Sequence, residues 1–80
     1  MSRYYFDLYN GDGPTSDEEG LDLHSHEAIT NEVHRILVDI AREEIAGRER
    51  GAIAVNVRDE AGRTVFTGNL SFATEWHRTP

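Results

Sequence analysis

Of the four histidines in this chain, His24, His26 and His34 are the residues whose chemistry reaches furthest. Imidazole with a carboxylate such as Glu27 alongside suits zinc or nickel. His34 follows His26 by just over two helical turns, so a helix would bring all three toward one region. Yet paired histidines around a helix start are commonly solvated, and no ligand spacing recurs elsewhere in the chain. His24, His26 and His34 are thus the candidate metal ligands, and no metal or other cofactor is expected. Asp7, Asn10, Asp12, Asp17, Glu18 and Glu19 raise calcium. The helix–loop–helix calcium pattern fails, because no choice of first acid places glycine sixth with oxygen donors third and fifth. No nucleophile elbow, Gly-rich phosphate loop or cysteine occurs, so no catalytic residue is assigned and the chain is expected not to be an enzyme.

Charge narrows the partners. Fifteen acidic residues against eight basic ones give a net charge of −7. Residues 1–32 carry eight acids and only Arg3, which sums to −7, whereas residues 33–80 carry seven acids and seven arginines and sum to zero. Every basic residue is arginine. An outer sheet face with Arg3, Tyr5, Tyr9, Arg58 and Arg63 would offer stacking and charge to RNA. The acidic balance and the lack of a continuous basic stripe argue against nucleic acid. No apolar run approaches the roughly 18 residues that span a bilayer, the start lacks a signal-peptide core, and cysteine is absent. The expectation is a cytoplasmic protein without a membrane partner.

The elements that position these groups follow from periodicity. Residues 3–9 alternate, with Tyr4, Phe6 and Leu8 on one side and Tyr5, Asp7 and Tyr9 on the other, which predicts a strand with one buried face. Asn10-Gly11-Asp12-Gly13-Pro14 predicts a turn. Residues 21–23 form a short strand expected beside the first. Ser25 is a plausible N-cap for a helix over residues 26–46, with Gly47 beyond its end. Ile29, Val33, Ile36, Leu37 and Ile40 share its core stripe. A second row, His34, Val38, Ala41 and Ile45, is more than one small sheet can cover. Residues 52–58 and 63–72 form a hairpin around Asp59-Glu60-Ala61-Gly62, in which Val57 faces either Val65 or Phe66. Residues 74–80, with Trp76, are a tail. The fold expected is a single α+β domain over residues 1–80, a small antiparallel sheet in the order β-β-α-β-β crossed by one long amphipathic helix.

Arg3-Tyr4-Tyr5-Phe6-Asp7, Asp12-Gly13, Asp17 with Gly20, and Val57-Arg58-Asp59 with Gly62 together resemble a family of short, functionally uncharacterised bacterial proteins best known from alphaproteobacteria. The resemblance spans nearly the whole chain, supports the fold, and implies no activity, cofactor or catalytic residue. A weaker likeness is to HicB-type antitoxins, which also begin with an aromatic strand and place a long helix after an Asp-x-x-Gly-like turn. The two strands expected before the helix here fall one short of their three.

The function expected is that of a non-enzymatic protein-interaction module, a homodimer whose interface uses His34, Val38, Ala41, Ile45 and Trp76. The alternatives are an acidic, antitoxin-like antagonist of a basic partner acting through residues 12–22, and a histidine-based metal-binding protein.

Overall fold

Alternating aromatic and polar residues, then a long 3.6-period segment, then two more alternating runs become one helix on one sheet. The computed structural model describes residues 2–78, with β1 (Ser2–Asn10), β2 (Gly13–Thr15), β3 (Leu21–Leu23), α1 (His26–Ile45), β4 (Arg50–Arg58) and β5 (Thr64–Ala73). Met1 and the expected tail's Thr79 and Pro80 lie outside the described residues. The α+β class and the expected element order hold, with one strand added. Gly13-Pro14-Thr15, read from sequence as part of a turn, returns along β1 and pairs Tyr9 with Pro14 and Asn10 with Gly13. Gly13 makes this possible by adopting a φ of 101°, which a side chain would resist. Three strands therefore precede the helix, one more than the sequence predicts.

All pairing is antiparallel. The sheet runs β2-β1-β4-β5, and β3 pairs with the first residues of β1, as expected of it. The ambiguous hairpin register resolves with Val57 opposite Phe66 and Arg58 opposite Thr64, so Val65 is the extra residue of a β-bulge. That slip turns Phe66, Leu70 and Phe72 toward the helix and leaves Val65 exposed.

The core lies between α1 and the middle of the sheet. Ile53, Val55 and Val57 of β4 and Val33 of α1 are the largest fully enclosed side chains. Each contributes about 1.5–3 kcal/mol relative to exposure. Ile29, Leu37 and Ala41 complete the buried set, with Tyr4, Phe6, Leu8, Leu23, Ile36, Ile40, Phe66 and Leu70 around it. Ser25 caps the helix, its hydroxyl accepting from the Ala28 N–H at 3.1 Å. The helix is rolled relative to its apolar stripe: Ala41 and Glu44 are buried, while Ile36 and Ile40 are only half-buried. Ala41, placed by the sequence in the outer row, is therefore a core residue and is removed from the interface set.

Gly68 of β5 sits directly beneath the helix. A Cβ there would come within 2.6 Å of Val33 Cγ1, and Val33 is itself enclosed and has no room to retreat. Gly68→Ala should lower stability by about 1–3 kcal/mol, the usual range for overpacking, seen as a lower urea midpoint at unchanged m-value.

Candidate functional site

The sheet face away from α1 carries Tyr5, Asp7 and Tyr9 of β1 beside Ala54, Asn56 and Arg58 of β4, as the pairings Tyr5 with Arg58 and Asp7 with Asn56 require. Asp7 is only 7% exposed there. A carboxylate so placed needs compensation, and the neighbouring strand supplies it. Arg58 Nε donates to Asp7 Oδ2 at 2.7 Å and Nη2 to Oδ1 at 3.2 Å, a two-pronged pair. Nη2 also donates to the Asp17 carbonyl at 2.8 Å. The guanidinium lies 4.9 Å from the centroid of the Tyr5 ring, a cation–π distance.

Asp17 extends the network into the loop before β3. Its N–H donates to Asp7 Oδ1 at 3.0 Å. Its own Oδ2 accepts from the Phe6 N–H at 3.0 Å, and its Oδ1 from Glu19 N–H at 3.1 Å and Gly20 N–H at 3.2 Å. Gly20 holds φ at 72°, and a Cβ there would lie 2.9 Å from the Tyr4 carbonyl, so the loop closes only around glycine. Among the described residues no buried side-chain polar atom lacks a partner. These bonds tie β1, β4 and the loop before β3 to one another. Arg58, offered by the sequence as a nucleic-acid contact, is committed to Asp7.

The Arg58 hydrogen bonds hold the Asp7 carboxyl below its usual range, against burial that acts to raise it. For Asp17 burial is the largest influence and raises it, but the Phe6, Gly20 and Glu19 N–H groups together outweigh burial and lower it. Carboxyls lowered on folding stabilise the native state above their unfolded pKa of about 3.9, and that contribution is lost as pH falls through the still lower folded values. Asp7→Asn should lower the melting midpoint at pH 7 by about 5 °C or more, and the gap to the wild type should narrow below about pH 4 as Asp7 itself becomes protonated.

The sequence-derived candidates are dispersed. His24 and His26 are exposed around a shallow depression with Ser2, Tyr4 and Leu23, while His34 is exposed two turns along α1. Among the described residues no three His, Asp or Glu side chains gather as a metal site would require. Val38 and Ile45 are 48% and 51% exposed on the helix, and Trp76 is 94% exposed beyond β5. Phe6, Leu8 and Ile36 line a groove rimmed by Asp17, Glu18 and Glu19.

Among the described residues Asp7 and Glu44 are the buried polar ones; the alternation puts Asp7 on the outer side of its strand, and the sequence analysis assigns Glu44 to neither helix face. Glu44 Oε1 accepts from the Gly11 N–H at 3.1 Å, tying the end of α1 to the β1–β2 turn. Turning the helix by about 100° per residue places Glu44 between Val33 and Leu37, so its position on the core stripe was available from spacing alone.

No helix among the described residues is long and apolar enough to cross a membrane. No curated protein and no solved structure matches the chain. Of the residues that carried the resemblance, Asp7, Asp17, Gly20 and Arg58 belong to this network, Arg3 donates to the Glu19 carbonyl, and Asp59 and Gly62 close the hairpin, the Asp59 carboxylate accepting from the Ala61 and Arg63 N–H groups. A family model described as a domain of unknown function, DUF6894, matches residues 3–71 of the 80, and the chain belongs to that family.

Proposed function

We propose that this chain is a non-enzymatic protein-interaction module that works as a homodimer. The observation that carries the reading is the apolar surface left outside its own core: Val38 and Ile45 on α1, with His34 in the same row, and Trp76 on the tail. Apolar side chains grouped outside a core favour a protein partner, and a second copy is the commonest one. The polar network supports the same reading, because its charged groups are engaged in holding strands together. Light scattering should give twice the chain mass for the wild type and the single-chain mass for Val38→Asp. A monomeric wild type removes the dimer.

A second reading has its own support. The apolar floor of Phe6, Leu8 and Ile36 with Asp17, Glu18 and Glu19 at its rim suits a basic segment bearing an apolar anchor, the contact an acidic antagonist of a toxin or nucleic-acid-binding protein would make. A basic protein co-purifying at low salt should be released at high salt, and should be lost with Glu18→Arg/Glu19→Arg. Retention by that double variant rules the groove out.

A further inference from the structure

Strand β5 forms one edge of the sheet, and its ten residues, Thr64-Val65-Phe66-Thr67-Gly68-Asn69-Leu70-Ser71-Phe72-Ala73, include no charge and no proline. Long uncharged edges of this kind pair with other strands, and natural domains blunt or cover them. The opposite edge is covered here: β2, the Asp17 carboxylate and β3 together follow β1 along its length. Among the described residues nothing comparable lies along β5.

We infer that two copies join through this edge, β5 pairing antiparallel with β5 of the second copy about a two-fold axis near Asn69. The inference rests on the homodimer proposed above and names its geometry. Three features agree with it. The net charge of −7 lies in residues 1–32, so two uncharged β5 strands meet without like-charge repulsion. Ile36 faces the groove beside Phe6 and Leu8 on the β1 side of the helix, which puts the row of Val38 and Ile45, round the far side of α1, on the β5 side. The two rows then approach one another above the joined strands.

The third feature is the tail. The radius of gyration is 15.2 Å against about 12 Å for a compact chain of this length, and Thr74–Arg78 project beyond the sheet, held to it by Thr74, whose N–H and hydroxyl donate to the Glu49 carbonyl. In the antiparallel arrangement this tail runs beside the other copy's hairpin tip, where a cavity of about 240 Å³ is lined by Tyr4, Ile29, Thr30, Asp59, Val65 and Phe66. Typical small-molecule pockets start near 300 Å³, so this one is better scaled to a single side chain. Trp76 shares the parity of Phe66, Leu70 and Phe72, which places it on the helix side when β5 is continued. It fills this cavity in the second copy, with the Asp59 carboxylate or the Thr30 hydroxyl available to its indole N–H. Two such indoles, each burying about 200 Å² and covering as much on the other copy, give roughly 800 Å², and the paired strands carry the total toward the 1,200 Å² of a specific interface.

The chain has no cysteine and one tryptophan, so both can be placed or read without background. Asn69→Cys should form a disulfide-linked dimer under mild oxidation, whereas Asp12→Cys, on the far edge, should not. Asn69→Lys sets two ammonium groups against each other across the axis; it should halve the mass in light scattering and shift Trp76 emission to the red, with the circular dichroism unchanged. A wild type that is monomeric with solvent-like Trp76 emission overturns both this geometry and the proposed dimer. A dimer that Val38→Asp dissociates, but that neither cross-links at Asn69→Cys nor responds to Asn69→Lys, overturns the β5 geometry alone.

Discussion

A carboxylate placed inside a β-sheet face needs a cation on the next strand, and the pair Asp7 and Arg58 answers that need. The arrangement fixes more than two side chains. Arg58 reaches past Asp7 to the Asp17 carbonyl, and Asp17 turns its carboxylate back onto the Phe6 N–H and the Glu19 and Gly20 amides. The loop between β2 and β3 thereby becomes a continuation of the sheet edge. Replacing Arg58 alone leaves the Asp7 carboxylate buried without its cation, so the residue at 58 is constrained by the one at 7.

On the other face the constraint is packing. Four side chains, Val33, Ile53, Val55 and Val57, are essentially excluded from water, and the helix can come this close because Gly68 offers no side chain beneath Val33. Ser25 closes the first turn of the helix, and Glu44 ties its last turn to Gly11. The tie at Glu44 and the close approach at Gly68 go with a roll that brings Ala41 into the core and leaves Val38 and Ile45 outside. The apolar surface on α1 follows from where the helix is tied.

Regular alternation and 3.6-periodicity made five of the six elements legible. Val57 opposite Phe66 was one of two registers the sequence allowed, and the bulge at Val65 chose it. Strand β2 was not legible, since Gly13-Pro14-Thr15 carries turn chemistry and owes its extended form to β1 alongside. The burial of Asp7 and Glu44 is not legible in residue type, because each has a partner remote in sequence, Arg58 for Asp7 and Gly11 for Glu44. His24, His26 and His34, neighbours in sequence, do not gather into one cluster among the described residues.

The separation between Asp7 and Arg58, 51 residues along the chain, also governs how the protein comes into being. During synthesis β1, its flanking short strands and most of the helix emerge before the strand that pairs with β1 through Tyr5–Tyr9 has been made. Until β4 arrives the aromatic side of β1 has no lasting cover and Asp7 no counterion. Closing so long a loop is an entropic cost that local contacts cannot meet in advance. The acidic first half therefore meets the strand that completes its sheet only once residues 50–58 are available.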